Sequence, residues 1–176
     1  MLKMFTTQLT GVFKKIAEKE EFSFEDGARL LAQAPAGDGS IYLYGSKEMK
    51  AVEFEAVEGA EPLQAAKVLT EAEIDGLSDA DRVLLFSRFS TDGPAIELAQ
   101  LLRDKMIPFV AVSTVIEPSD QDFSQLADVH IDLRLTKGLL PDEIGNRYGY
   151  PSAMAALFIY HGLKFTIDEI LAEYEE

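Results

Sequence analysis

Hydroxyl side chains recur where buried apolar runs give out. Val83-Leu84-Leu85-Phe86 leads into Ser87, Ser90 and Thr91, and Ile41-Tyr42-Leu43-Tyr44 leads into Gly45-Ser46-Lys47. A third run, Pro108-Phe109-Val110-Ala111-Val112, stops at Ser113-Thr114. Short hydroxyls beside a helix N-terminus add donors to the free backbone N–H groups there, and together these bind anions. Lys47 would add a cation to the same crevice. Ser and Thr also cap helices and fill turns, so the residues alone leave both uses open. Arg134, Lys137 and Arg147 are further cations able to neutralise a phosphate, though the residues alone read as ordinary surface charges. His130 alternates outward from an edge strand and is expected to face solvent. Two histidines far apart and scattered acids carry no metal-ligand spacing, so no metal site is expected.

These groups need a scaffold that brings strand ends together. Residues 82–114 supply its centre: a buried strand, a helix opened by Gly93-Pro94, and a second buried strand. Strand, crossover helix and parallel strand form one βαβ unit, and ligands of open parallel sheets bind at the carboxyl ends of such strands. Before this unit, Phe5, Leu9, Val12, Phe13 and Ile16 give an amphipathic first helix. Ser23 with Asp26 reads as a capping box for a second helix, which Pro35 to Ser40 stop. The strand at 41–44 runs into a helix holding Met49, Val52, Phe54 and Val57, and 66–69 form a weaker strand. After the unit come a loop over Ile116 to Ser119, a short helix within Gln121 to Ala127 and an edge strand over Val129 to Leu133. Arg134 to Pro151 is irregular, and Ser152 to Tyr174 is a helix or a helix pair interrupted at Gly162. The expected fold class is α/β. It is a single doubly wound, five-stranded parallel sheet flanked by helices, with an N-terminal helical hairpin, forming one domain over 1–176.

A formal charge of −15 argues against general nucleic-acid binding, because a phosphate backbone would be repelled over most of the surface. The same charge means that a phosphorylated ligand must be captured by local dipoles. No apolar run reaches the length of a spanning helix, so no membrane partner is expected. The first residues, MLKMFTTQLTGVFKK, make a poor signal peptide, and with no Cys in the chain neither disulfides nor thiolate metal sites form. The expected location is the cytoplasm.

The hydroxyl-ended strands resemble the SIS (sugar isomerase) domain family. Its pattern is a strand ending in Gly-x-Gly-x-Ser, a later strand ending in Ser-x-Ser-Gly-x-Thr, a helix, and a strand ending in Thr. Here those places read IYLYGSKEM, LLFSRFSTDG and PFVAVST, and Leu126-Ala127-Asp128 matches a further element of the pattern. Among stand-alone chains of this size, the resemblance is to phosphoheptose isomerases or their relatives. It implies a small-molecule sugar phosphate as ligand, held by Ser46, Lys47, Ser87, Ser90 and Thr91, with no cofactor. It also implies a homodimer or homotetramer. For aldose–ketose isomerisation it places Glu55 and His161 as the catalytic base and acid. On the residues alone, Glu55 reads as an exposed helix acid and His161 as a core or interface histidine. With Ser87 as the first Ser of the pattern, Phe89 stands at the second Ser, Ser90 at the Gly and Asp92 at the final Thr. A carboxylate at Asp92 would satisfy the helix dipole itself and repel a dianion. The alternative reading is therefore a non-catalytic scaffold or sugar-phosphate sensor with a degenerate phosphate loop.

Overall fold

The computed structural model describes residues 1–117 and 122–175, so the loop and helix expectations for Pro118 to Gln121 fall outside the described residues. The chain opens with two helices, α1 (Leu2–Lys19) and α2 (Glu21–Ala36). Then come β1 (Ile41–Gly45), a 3-10 turn (Lys47–Met49), α3 (Lys50–Glu58), β2 (Ala66–Val68) and α4 (Glu71–Ile74). The centre is β3 (Arg82–Phe89), α5 (Gly93–Asp104) and β4 (Phe109–Thr114). It is followed by α6 (Phe123–Leu126), β5 (Val129–Asp132), a two-stranded ribbon of β6 (Leu140–Pro141) and β7 (Arg147–Tyr148), and α7 (Ser152–Glu175).

The main sheet has the order β2-β1-β3-β4-β5 and every pairing in it is parallel. Alternation along the central strands divides the core in two. Leu84 and Phe86 of β3, with Val110 and Val112 of β4, face a layer formed by α1, α2, α3 and α7. Val83 and Leu85, with Phe109 and Ala111, face α5 and α6 through Ala95, Ala99, Leu102 and Phe123. Both faces are covered, as a doubly wound sheet requires. All five expected strands are present, and the Ala66 strand is an edge, as is Val129–Asp132.

Four local expectations are corrected. β3 does not end at Phe86 but continues to Phe89, its register with β4 shifting between Phe86 and Phe89, so Ser87 is a strand residue. Ser23 and Asp26 do not cap α2, which begins at Glu21 and keeps Pro35 in its last turn. The earlier start holds Phe24 and Gly27 on the helix, where they pack on α7. Gly162 does not interrupt α7, because a Cβ there would lie 2.6 Å from the Phe24 ring; glycine admits the aromatic. The segment from Arg134 to Pro151 contains the antiparallel β6–β7 ribbon.

One glycine fixes how the first strand delivers its hydroxyl. A Cβ on Gly45 would sit 2.3 Å from the Met49 carbonyl oxygen, since the 3-10 turn folds directly back on the strand end. The Gly45 N–H also donates to Glu53 Oε1 at 2.7 Å, anchoring the turn to α3. Substitution Gly45→Ala forces backbone against backbone and is expected to lower the unfolding free energy by about 2–4 kcal/mol. Denaturant titration measures this, and an unchanged midpoint would contradict the close approach.

Candidate functional site

β1 and β3 pair with Gly45 opposite Phe86, and Ser46 N–H donates to the Phe86 carbonyl at 3.0 Å. That register sets Ser46 and Ser87 abreast at the carboxyl ends of adjacent strands. Both hydroxyls reach one atom: Ser46 Oγ lies 2.9 Å and Ser87 Oγ 3.0 Å from Asp92 Oδ2. Ser87 Oγ is also 3.2 Å from the Phe89 carbonyl oxygen. Asp92 is the residue from which α5 springs, yet its carboxylate makes no capping bond to that helix. Pro94 brings no N–H, and among the described residues no side chain accepts from the Gly93 or Ala95 amide at the positive end of the dipole.

A second carboxylate stands beside the first. Glu48 receives two bonds from Arg88, Nε at 2.7 Å and Nη2 at 2.8 Å, and one from Ser152 Oγ at 2.7 Å. The Arg88 hydrogen bond, helped by Ser152, holds the Glu48 carboxyl down at about 2 against the effect of burial. The same bond raises the Arg88 guanidinium further above its ordinary value. Phe89 meets Tyr150 edge-on at 6.1 Å, and the Tyr150 hydroxyl bonds the Leu135 carbonyl. Together these contacts tie the strand end to the start of α7.

The cleft so formed has a volume of about 90 Å³ and is lined by Ser46, Lys47, Glu48, Ser87, Arg88, Phe89, Thr91 and Asp92. Small-molecule sites usually enclose roughly 300–1,000 Å³, so within one chain this cleft has room for a phosphate-sized group and further walls would be needed around an attached sugar. Its charges balance, Lys47 and Arg88 against Glu48 and Asp92. Lys47 is exposed with φ at +52°, the tight turn after Gly45 holding it in the left-handed region.

Of the residues singled out in the sequence, Ser46, Lys47, Ser87 and Thr91 meet at the cleft, and Ser90 does not line it. Ser90 is fully buried, its hydroxyl accepting from Ile116 N–H at 3.2 Å and lying 3.3 Å from the Ile116 carbonyl, which ties the exits of β3 and β4. Glu55 and His161 come together with each other, Oε1 to Nε2 at 3.8 Å, their side chains 40% and 42% exposed. They do not line the cleft. His161 follows Ser152 on α7 by nine positions, about 13 Å of helical rise. Beside His161, burial drives the Tyr160 phenol up, with Glu55 and Asp168 adding to it.

Glu48, Arg88 and Ser152 were not singled out in the sequence. Arg88 carried a faint signal, a long cation directly after a buried hydroxyl at a strand end. His130 is not solvent-facing: it is half-buried, with Nε2 2.9 Å from Ser113 Oγ. Burial lowers its imidazole to about 4, against partial opposition from Asp132 and Asp122. Among the described residues, no group of three or more His, Asp or Glu is placed to hold a metal ion, and no helix is long and apolar enough to cross a membrane.

Comparison with known proteins places this geometry. The family model for the Domain of unknown function (DUF2529) matches residues 1–171. The chain belongs to the DUF2529 family. A family relative, Uncharacterized protein YwjG of Bacillus subtilis (strain 168), is 48% identical over 174 residues, covering 99% of each chain. Among solved structures, the Vibrio vulnificus NanR protein complexed with ManNAc-6P superposes with a TM-score of 0.70 at 17% identity. The match covers 99% of this chain and 64% of NanR. The phosphoheptose isomerase GmhA from Neisseria gonorrhoeae superposes with a TM-score of 0.65 at 13% identity, covering 96% of this chain and 100% of GmhA. This DUF2529 chain therefore has the SIS fold.

The His130 environment makes stability depend on pH. Between pH 6.5 and about 4 the unfolded chain takes up a proton at residue 130 that the folded chain refuses. Falling pH thus favours the unfolded state across this window. Relative to wild type, His130→Gln is expected to gain stability steadily as pH drops from 6.5 to 4. Denaturant midpoints of the two proteins at several pH values measure it; a constant difference would contradict a half-buried, neutral imidazole.

Proposed function

We propose that this protein is a sugar-phosphate sensor without catalytic turnover, built on a single SIS domain over 1–176. Its ligand site is the crevice at the carboxyl ends of β1 and β3. One observation carries the reading: Ser46 and Ser87, from two different strand ends, aim their hydroxyls at a single oxygen atom, 2.9 and 3.0 Å away. That is how a pair of hydroxyls receives a phosphate oxygen, and here the oxygen belongs to Asp92. Hydrogen bonds to a charged group contribute about 1.5–3 kcal/mol each. Displacing the Asp92 carboxylate from two of them costs an entering phosphate about 10²–10⁴ in affinity. The wild-type site is therefore weak and responds to high ligand concentrations. A sugar phosphate is the favoured ligand class, since NanR, of the same fold, is complexed with ManNAc-6P.

This reading carries with it a cytoplasmic protein acting as a homodimer or homotetramer. A cleft of about 90 Å³ needs further walls to enclose a sugar. Phe54 and Phe165, 62% and 57% exposed, stand next to the Glu55–His161 contact as apolar surface for a second copy.

A second reading, an aldose–ketose isomerase of the phosphoheptose type, is favoured by the Glu55–His161 contact at 3.8 Å. Isomerisation needs base and acid beside the sugar carbons whose phosphate the crevice holds. Within one chain the pair lies about two and a half helical turns from Ser152, whose hydroxyl bonds Glu48 of the cleft, which disfavours this reading.

Calorimetric titration with a panel of sugar phosphates tests the two readings. Wild type is expected to bind weakly, and Asp92→Ser tenfold or more tightly, with neither converting the ligand. Unchanged or weaker binding by Asp92→Ser would overturn the competition. Turnover in wild type that Glu55→Gln abolishes would establish the isomerase instead.

A further inference from the structure

A second groove opens between α1 and the segment that joins β5 to α7. It has a volume of about 280 Å³ and shares no lining residue with the β1–β3 cleft. Its walls carry Lys15, Arg134, Lys137 and Arg147 and no Asp or Glu. Random placement would not favour this, because the chain has 31 acidic and 16 basic side chains.

The cations are not equivalent. Arg134 donates from Nε at 2.8 Å and Nη2 at 2.6 Å to Glu20, a buried carboxylate that matches its charge. Arg147 is held in place by neutral acceptors, Nε on the Gly138 carbonyl at 3.0 Å and Nη2 on the Leu139 carbonyl at 2.9 Å. Lys15, Lys137 and Arg147 form no ion pair among the described residues. The groove therefore keeps three uncompensated positive charges, one of them on a guanidinium fixed by the backbone.

The shape of the groove gives an independent indication. Gly11 lies within α1 and on the groove wall, and a Cβ built there meets nothing within 4 Å. Glycine weakens a helix, and here no packing neighbour requires it. What its missing side chain leaves open is the groove. The overall charge of −15 does not cancel the local field, since at physiological ionic strength charges farther off than about 8 Å are largely screened.

We infer that this groove binds a small, multiply charged anion of the phosphate class. Fixed guanidinium and mobile ammonium groups match phosphate oxygens as fork and point charge. The volume is close to the lower end of small-molecule sites, roughly 300 Å³, and suits a compact anion.

Titration of the full chain with inorganic pyrophosphate, followed by calorimetry, tests the assignment. Wild type binds saturably, one pyrophosphate per chain. Lys15→Ala combined with Lys137→Ala raises the dissociation constant tenfold or more. Gly11→Leu does the same by filling the groove without altering any charge, while remaining at least as resistant to heat as wild type. Absence of saturable binding by wild type, or unchanged affinity in the lysine double variant, overturns the inference. So does loss in the double variant with none in Gly11→Leu, which would mean diffuse attraction rather than an occupied groove. None of these substitutions touches the β1–β3 cleft, so the outcome stands apart from what Asp92→Ser shows.

Discussion

Ser46, just past the end of β1, and Ser87, near the end of β3, both direct their hydroxyls to Asp92 Oδ2. Parallel pairing with Gly45 opposite Phe86 prepares that convergence, because it brings the residues after each to the same height on the sheet. A carboxylate placed between them is the natural complement, supplying the charge that two donors and a nearby helix N-terminus favour. The chain thus carries its own anion where the open end of a parallel sheet would receive one from outside. The bonds are local and the carboxylate is only half-buried, so the arrangement raises the cost of ligand entry without closing the site.

Around this point the surrounding structure balances charge with charge. Arg88 next to Ser87 is taken up by Glu48 next to Lys47, and Ser152 joins the pair to the start of α7. The cleft that results is electrically neutral in a strongly acidic chain. The groove beside α1 is the opposite case, cationic and without carboxylates. Both concavities neighbour the segment linking β5 to α7. Leu135 lines the groove, and its carbonyl accepts the Tyr150 hydroxyl, whose ring meets Phe89 of the cleft.

Much of the fold was legible because burial on both faces of a parallel sheet writes itself as continuous apolar runs, and Val83 to Phe86 and Phe109 to Val112 are such runs. The hydroxyls after them were legible as strand-end groups for the same reason. The extension of β3 was not, since Ser87-Arg88-Phe89 reads as a polar loop until the neighbouring strand ends pair with it. Glu48 and Arg88 are 40 positions apart and nothing local announces their meeting. Asp92 was legible as a charge in the wrong place for a phosphate, but not as a group that leaves its own helix uncapped to take two hydroxyls. Gly162 read as a helix breaker, because the Phe24 ring that requires it lies on another helix. His130 read as solvent-facing from alternation alone, which cannot register a partner such as Ser113 on the adjacent strand.

The central claim is that Asp92 occupies the position of a ligand phosphate. A crystal structure of the wild-type protein grown in concentrated inorganic phosphate tests it most directly. The account predicts a phosphate seated on Ser46 Oγ and Ser87 Oγ in the place of Asp92 Oδ2, with the carboxylate turned away. A phosphate bound elsewhere in the cleft while Asp92 Oδ2 keeps both hydroxyls, or no phosphate there at saturating concentration, would contradict it.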